Sequence, residues 1–235
     1  AIQQGKIGAL TTPAITHYPE YADLATPQRK AITLASLLTM SSGLKWSEGG
    51  SGPDDEHRLY WDWAPYRYVL SRPIVAVPGA AFNYNSGGTA VLADILTRVT
   101  HTPLKDFVRT TLFAPLGITD WEWVADLHGR PMAFTGLRMR PRDMAKIGRL
   151  VLDHGAWHGQ QIVPADWIAA SLQPRISTGI ADLHYGDQWW NGGQRIFVLP
   201  DLDMTVVMTA GAYGDPHAAP RANAYFQDIV STVQR

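Results

Sequence analysis

The chain has 235 residues, of which 46% are hydrophobic and 17% charged, with a formal net charge of −1 at pH 7. This near-neutral balance argues against nucleic acid as the main partner, because phosphate binding needs a basic surplus or a basic stripe. The sequence contains no cysteine, so disulfides, thiolate catalysis and cysteine-ligated zinc are excluded within it. No run approaches the ~18 consecutive apolar residues of a membrane-spanning helix.

The first part of the chain alternates unpatterned and helical segments. Residues 10–30 are rich in proline and threonine without a sustained period, which predicts a surface crossing with little regular structure. Residues 33–43 carry leucines at helical spacing and predict a helix that stops at Gly43. Ser42 and Lys45 form an S-x-x-K, the pattern in which a lysine activates a serine. Because a glycine follows this serine where the helix ends, the pair lacks the shared helical face that the chemistry needs, and we do not assign it catalysis.

Residues 46–59 form a glycine-rich acidic segment. Four side chains there imitate a metal site: Asp54, Asp55, Glu56 and His57. Adjacent residues on a flexible loop are more typical of a solvated run of charge. Residues 60–71 then predict a helix rich in aromatic side chains, ended by Arg72-Pro73.

The most informative stretch runs from Pro78 to Ile95. A Pro-Gly turn leads into Tyr84-Asn85-Ser86, two glycines follow, and an amphipathic helix is predicted over residues 88–99. A junction between a turn and a helix holds polar side chains at the edge of a rigid scaffold instead of burying them in its core. We therefore expect part of a functional site here.

The remainder predicts more helices and one hairpin. Thr102 is expected as the N-cap and Pro103 as the first residue of a helix that reaches about Phe113. Further helices are expected over residues 138–153, entered at Pro141, from Pro164 onward and over residues 219–233. A turn and a polar loop are expected over residues 114–136, and a hairpin is expected to pair 195–199 with 204–209. His154 and His158 have the spacing of metal ligands, but Gly155 between them favours a loop. With the histidines scattered, we expect no metal site.

This order of elements predicts an α+β fold in which helices flank an antiparallel sheet. We expect a single domain over residues 1–235, with a helical region over about 30–175 and the sheet and terminal helix over about 185–235.

Six segments in order resemble the serine β-lactamase and penicillin-binding-protein superfamily. The resemblance is to the branch that holds class C β-lactamases, D-alanyl-D-alanine peptidases, esterases and 6-aminohexanoate-dimer hydrolases. The segments are ITLASLLTMSSGLKW, PGAAFNYNSGG, LFAPLGI, GLRMRPRDMAKIGRLVLDHG, YGDQWW and GGQRIFVLPDLDMTVVMTAG. They extend over nearly the whole chain, and they imply a β-lactamase/transpeptidase-like catalytic domain.

The resemblance implies a serine hydrolase that works through an acyl-enzyme on an amide, ester or β-lactam carbonyl. In the family, the serine of an S-x-x-K motif attacks, its lysine helps remove the proton, and a tyrosine of Y-x-N or Y-x-S assists as general base and acid. Tyr84 matches that tyrosine, and Ser86 stands where β-lactamases usually have asparagine, which points toward amide or ester hydrolases. A tyrosine of pKa near ~10 accepts a proton at neutral pH only if nearby cations depress that pKa.

The third motif of the family is matched by a glycine-rich variant. Asn191, Gly192, Gly193 and Gln194 form it, and a backbone N–H there would complete an oxyanion hole with the N–H of the nucleophile. Trp189 and Trp190 stand beside it and either line the substrate pocket or pack in the core. We count Trp190 with the four motif residues as substrate-binding candidates.

Two departures bear on the activity. No S-x-x-K lies where the resemblance places it, just before AIQQGKIG, and YGDQWW runs directly into NGGQ where relatives have a longer connection. Both predict that the sequence is part of a longer protein, with the nucleophilic serine, its lysine and the first strands upstream. The alternative is a binding or regulatory relative that kept the fold and lost the nucleophile, since a fold does not guarantee activity.

The resemblance also implies partners. We expect a small-molecule amide, ester or peptide-like substrate and no cofactor, because a serine acyl transfer needs none. Family members are commonly exported to the periplasm or secreted, and cytoplasmic members exist, so the location stays open. The sequence does not indicate an oligomeric state.

Overall fold

A computed structural model describes residues 1–49, 54–180, 183–189, 195–209 and 218–233. The helices are α1 Pro27–Lys30, α2 Leu34–Leu38, α3 Asp55–Arg58, α4 Pro65–Ser71, α5 Ser86–Thr100, α6 Leu104–Val108, α7 Pro141–Leu152, α8 Ala165–Ser171 and α9 Ala218–Val233. The strands are β1 Trp121–Trp123, β2 Leu137–Met139, β3 Ala156–Trp157, β4 Gln160–Gln161, β5 Ile176–Ser177, β6 His184–Tyr185, β7 Arg195–Leu199 and β8 Met204–Met208. Short 3-10 turns cover Ala14–His17, Pro19–Leu24 and Pro200–Leu202, and a π-helical turn covers Arg109–Phe113.

Helix α5 runs through the larger apolar core. Val91 and Ile95 on its inner face are 0% and 1% exposed, and they share one cluster with Leu37 of α2 and Val69 of α4. Burying an aliphatic side chain of this size is worth about 1.5–3 kcal/mol. The apolar period of the sequence predicted this helix, and packing against α2 and α4 fixes where it lies.

The hairpin of β7 and β8 packs on α7. The two strands pair antiparallel from Arg195 opposite Met208 to Leu199 opposite Met204, which confirms the predicted hairpin. Gly148 of α7 lies against it so closely that a Cβ there would be 2.2 Å from Cγ2 of Thr205. The absence of a side chain at this position therefore permits the close approach of helix and hairpin.

The described strands pair two by two, β1 with β2, β3 with β4, β5 with β6 and β7 with β8, all antiparallel. Together with the helices, this confirms the predicted α+β class.

Residues 10–30 were predicted to cross the surface with little regular structure, but part of this segment is buried. The two 3-10 turns place Ala14, Ile15 and Tyr18 in the core at 0%, 4% and 1% exposure. Tyr18 also donates from its hydroxyl to the carbonyl of Val91 on α5, at 3.3 Å. Proline and threonine broke the regular period here, but the apolar residues between them still supply one wall of the core.

Two predicted helices are shorter than expected. The helix expected over residues 33–43 ends at Leu38, because Met40 takes a left-handed φ of 54° and reverses the chain. The helix expected over residues 60–71 begins only at Pro65, which fixes the first helical φ. Ahead of it, Asp62 accepts the N–H of Ala64 at 2.8 Å and holds a turn.

Two boundaries in the middle of the chain also differ. Pro103, not Thr102, occupies the N-cap of α6. The predicted helix entry at Pro141 is confirmed, but Arg138 and Met139 ahead of it belong to β2, which pairs with β1, so residues 114–136 are not wholly loop. Side chains that alternate over only three residues leave no clear period, so these strands were missed.

Within the described ranges, no helix combines the length and the apolar character needed to cross a bilayer.

Two adjacent glycines in the first turn of α5 give a matched test of packing. A Cβ at Gly87 would be 2.6 Å from both Trp46 and Val69, whereas the nearest atom to a Cβ at Gly88 is Cδ2 of Leu37 at 3.5 Å. We expect Gly87→Ala to lower the free energy of unfolding by about 1–3 kcal/mol through overpacking. Gly88→Ala should raise it by up to about 1 kcal/mol, since alanine favours the helix.

Urea denaturation of both variants measures this difference. Equal stabilities would show that the contact of Gly87 with Trp46 does not limit the position of α5.

Candidate functional site

Tyr84 lies in the extended segment that enters α5. Its neighbour Asn83 fastens this segment to the chain that follows α2, since its N–H donates to the carbonyl of Met40 at 2.7 Å. The Asn83 amide Nδ2 also donates to the carbonyl of Trp46, at 3.2 Å. The backbone is therefore held just before Tyr84, on the N-terminal side of that residue.

The helix side of the segment is fixed by two caps. Asn85 is the N-cap residue, and its Oδ1 accepts the N–H of Gly88 at 2.9 Å. The carboxylate of Glu48 accepts both the N–H and the hydroxyl of Ser86, each at 2.9 Å. The first N–H groups of a helix have no partner inside it and attract negative charge. Both acceptors therefore stabilise the beginning of α5.

Glu48 is itself held by a tryptophan. The Nε1–H of Trp46 donates to Oε2 of Glu48 at 2.5 Å, and Trp46 is buried at 6% exposure. Ser86 is buried at 3%, and its hydroxyl donates to the carboxylate. The structure thus shows Ser86 buried and bonded to Glu48 at the beginning of α5, where it supports the helix start. Its catalytic role stays a prediction.

An open cleft of about 510 Å³ lies over these residues. Its lining is Trp46, Ser47, Glu48, Gly49, Glu56, Asn83 and Tyr84. Glu56 comes from α3, and the hydroxyl of Tyr60 donates to its Oε1 at 3.3 Å. Tyr84 therefore faces a cleft that carries two carboxylates.

The electrostatics of this cleft favour a neutral tyrosine. Burial raises the pKa of Tyr84, and the carboxylates of Glu48 and Glu56 raise it further. Burial, with the charge of Glu48, likewise raises the pKa of Glu56. The described residues thus hold Tyr84 in its protonated form, whereas a base role requires a cation to lower that pKa.

The segment from Tyr185 to Trp189 lies beside the chain that carries Tyr84. Tyr185 is 1% exposed, its ring centroid lies 5.3 Å from that of Phe82, and burial and the nearby Tyr84 raise its pKa. Gln188 fastens the segment, because its N–H donates to the carbonyl of Leu38 at 3.0 Å.

The side chain of Gln188 reaches two helices. Its Nε2 donates to the carbonyl of Leu38 at 3.1 Å, and its Oε1 accepts the hydroxyl of Thr89 on α5 at 2.9 Å. Gln188 therefore joins the end of α2, the first turns of α5 and this segment to one another.

The substrate-binding candidates Trp190, Asn191, Gly192, Gly193 and Gln194 lie outside the described residues. Their assignment stays a prediction. On the described side of that gap, the indole Nε1 of Trp189 donates to the hydroxyl of Ser171, at 3.3 Å.

The rejected S-x-x-K pair is not on a helix. Ser42 is buried at 5% and lies past the end of α2, and Lys45 is exposed, with its N–H donating to the carbonyl of Pro73 at 2.7 Å. This confirms that the two side chains do not share a helical face.

The acidic segment is more ordered than a solvated run of charge. Asp54 caps α3 through the N–H groups of Glu56 and His57. Asp55 is buried at 8% exposure, which corrects the prediction for that residue. Its carboxylate accepts from the hydroxyl of Tyr68 and from Arg72. These partners are distant in sequence, so the sequence alone gave no sign of them.

The prediction that His154 and His158 lie outside regular helices is confirmed. His154 and His158 lie in turns, with left-handed φ values of 50° and 47°. Among the residues that the structure describes, no three histidine, aspartate or glutamate side chains are grouped so as to hold a metal ion.

Sequence reasoning missed Glu48 and the place of Glu56 in the cleft. Glu48 meets Ser86 across 38 positions of sequence. A glutamate in a glycine-rich loop carries no local signal of such a contact, because only the chain reversal after α2 brings it to α5.

The sequence profile of the family described as Beta-lactamase matches residues 1–228. The 6-aminohexanoate-dimer hydrolase of Paenarthrobacter ureafaciens is 28% identical over 158 residues, which cover 57% of this chain and 40% of that protein. The lovastatin esterase of Penicillium rubens is 30% identical over 148 residues, which cover 56% of this chain and 34% of that protein. The matched part is thus less than half the length of these curated relatives.

Solved structures share the fold. The "Putative 6-aminohexanoate-dimer hydrolase from Bacillus anthracis" superposes with a TM-score of 0.82 at 23% identity, covering 99% of this chain and 68% of that one. A β-lactamase/D-alanine carboxypeptidase from Yersinia pestis, complexed with citrate, gives a TM-score of 0.68 at 18% identity. The match covers 100% of this chain and 79% of that one. At these identities the likeness is one of fold.

One buried carboxyl near the site gives a test by pH. Asp187 is 9% exposed, and its Oδ2 has no hydrogen-bond partner in the described part of the chain. Nε of Arg175 lies 3.9 Å from its Oδ1. Burial raises the pKa of Asp187, and Arg175 offsets this only in part.

We expect Asp187→Asn to stabilise the protein at pH 7. Because the pKa of Asp187 is raised on folding, the native state binds this proton more tightly than the unfolded chain. Stability is therefore lost as pH rises through the interval between the two pKa values. The asparagine variant does not lose stability in this way. The difference in free energy of unfolding between variant and parent should therefore be largest at neutral pH and shrink toward low pH.

Thermal unfolding from acid to neutral pH measures the effect. The control is Asp201→Asn at an exposed position, whose stability should stay within about 0.5 kcal/mol of the parent. A destabilised Asp187→Asn at pH 7 would mean that the carboxylate is well paired.

Proposed function

The chain belongs to the Beta-lactamase family of hydrolases, and we propose that it contributes the tyrosine and the cleft of a serine hydrolase that acts through an acyl-enzyme. The observation that carries this is Tyr84, held from both sides at the beginning of α5 and facing an open cleft in its neutral form. A positioned proton donor beside a cleft is what the departure of a poor leaving group requires.

The proposed reaction has two halves. A serine hydroxyl attacks the carbonyl carbon of an amide or ester and gives its proton to the lysine beside it; the bond to the leaving nitrogen or oxygen breaks as Tyr84 protonates that atom, and the lysine proton then restores the Tyr84 hydroxyl. Water then attacks the acyl-enzyme ester and gives one proton to the same lysine, which passes it through Tyr84 to the departing serine oxygen, so that a carboxylic acid and the free serine hydroxyl result. The raised pKa of Tyr84 suits the donor step. Its use as a base needs the charge of a lysine close to it.

The nucleophile is proposed to lie outside residues 1–235. Ser42 and Lys45 do not form the required pair, and the matched relatives are longer than the matched part. The names of those relatives, a dimer hydrolase and an esterase, support an amide or ester carbonyl as the substrate class. A cleft of about 510 Å³ is of the size that takes a small molecule.

The covalent step predicts a labelled serine. The native protein, incubated with a fluorophosphonate or with a penicillin, should gain the mass of one adduct in intact-protein mass spectrometry. Peptide mapping should locate that adduct on a serine followed three positions later by lysine. The penicillin arm tells whether a β-lactam carbonyl also acylates the enzyme.

The control is the same protein unfolded in urea before labelling, in which a serine without its activating neighbours should not react. If the native protein stays unlabelled, the serine hydrolase proposal is contradicted. The remaining hypothesis is then a binding or regulatory protein that kept the fold and lost the nucleophile.

Removal of the tyrosine hydroxyl tests its role directly. Tyr84→Phe should lower kcat on an ester or amide substrate by about 100- to 10,000-fold, the usual contribution of a positioned acid or base. The matched control is Tyr225→Phe on α9, a tyrosine that is 60% exposed, which should keep the parent rate. Equal rates for parent and Tyr84→Phe would remove Tyr84 from the mechanism.

A further inference from the structure

Glu48 connects the cleft to the beginning of α5. It lines the cleft with Tyr84, and its carboxylate also accepts the N–H and the hydroxyl of Ser86, the first residue of α5. Tyr84 is only two residues before Ser86, so a displacement of the helix start displaces the tyrosine.

We propose that Glu48 is a positioning residue for Tyr84: through its hydrogen bonds to Ser86 and Trp46 it fixes the tyrosine at the mouth of the cleft. This inference rests on the proposed function, because it assumes that the placement of Tyr84 matters for turnover.

The contacts around Glu48 match an acceptor. Oε2 receives the N–H groups of Trp46 and Ser86, at 2.5 and 2.9 Å, and Oε1 receives the hydroxyl of Ser86. An ionised carboxylate only accepts, so all three donors are satisfied by one side chain. Trp46 is buried and packs against the position of Gly87. Glu48 is thus held to a rigid part of the core as well as to the helix.

Asn85 does not duplicate this role. It caps the N–H of Gly88, one turn into the helix, whereas Glu48 takes the N–H of Ser86, the group nearest to Tyr84. The cap by Asn85 is local in sequence. The contact from Glu48 joins the helix to the loop that forms the floor of the cleft.

The charge of Glu48 adds a second, separable effect. Among the residues that the structure describes, the groups that act electrostatically on Tyr84 include Glu48, Glu56 of α3 and Tyr185 of β6. Asp54 and His57 act in turn on Glu56, with opposite signs. Both carboxylates oppose formation of the phenolate, so loss of either charge should make Tyr84 easier to ionise.

Two variants of Glu48 separate contact from charge. In Glu48→Gln, the amide oxygen can take the place of Oε2 and the NH₂ group can donate to the Ser86 hydroxyl, so the contacts remain and the charge goes. Glu48→Ala removes both. We expect Glu48→Ala to lower kcat by up to about 100-fold, with a smaller change in KM, since a small misplacement of a reacting group is costly. Glu48→Gln should recover most of that loss.

The second readout does not need turnover. In native protein labelled with ¹³C at the ring Cζ of tyrosine, Tyr84 is assigned by its absence from Tyr84→Phe, and its titration is followed by NMR. Both Glu48 variants should move that titration to lower pH. The control Glu122→Gln, an exposed residue of β1, should change neither kcat nor the titration.

These readouts decide the proposal. The proposal would be overturned if Glu48→Gln lowered kcat as much as Glu48→Ala does. It would also be overturned if Glu48→Ala kept the kcat of the parent. If Glu48→Ala does not fold, Glu48→Asp keeps the charge but withdraws the carboxylate from Ser86 by one methylene, and a drop in kcat with the titration near its parental position would support the proposal, whereas parental kcat would contradict it. A fully active Tyr84→Phe would refute the proposed role of Tyr84, while the NMR titration would still report whether Glu48 acts on that tyrosine.

Discussion

The arrangement of the site depends on how the first turn of α5 is capped. A helix begins with N–H groups that have no partner inside it, and here Asn85 and Glu48 supply the acceptors. The same helix carries Val91 and Ile95 into the larger core. Its axis is therefore fixed by packing and its starting point by hydrogen bonds, and Tyr84 takes its position from both.

The carboxylate of Glu48 in that cap has a chemical consequence for the cleft. A carboxylate stabilises the positive end of the helix dipole, and in the cleft the same charge keeps the neighbouring phenol protonated. Glu56 acts in the same direction from α3. The site thus combines a structural need of the helix with an electrostatic setting suited to a proton donor. Any base function requires a cation brought close to Tyr84.

Long periodic segments were predictable, and short ones were not. The apolar period of α5 and of α7 extends over several turns, and the hairpin of β7 and β8 carries five paired residues on each strand, so all three were anticipated. The segment around Tyr18 and the strands β1 and β2 are too short to show a period. Contacts with residues farther along the chain decided their structure: Tyr18 is buried against α5, and β1 and β2 form only by pairing with each other.

The sequence by itself determined the α+β class, the junction at Tyr84 and the family to which it pointed, because these are written in local periods, turn residues and ordered motifs. Only the tertiary structure decided that Ser86 binds Glu48, that Asp55 is buried, and that Tyr84 faces two carboxylates. The physical reason is that a hydrogen bond or a charge acts through distance in space. Glu48 and Ser86 become neighbours only after the chain reverses behind α2 and α5 packs against it.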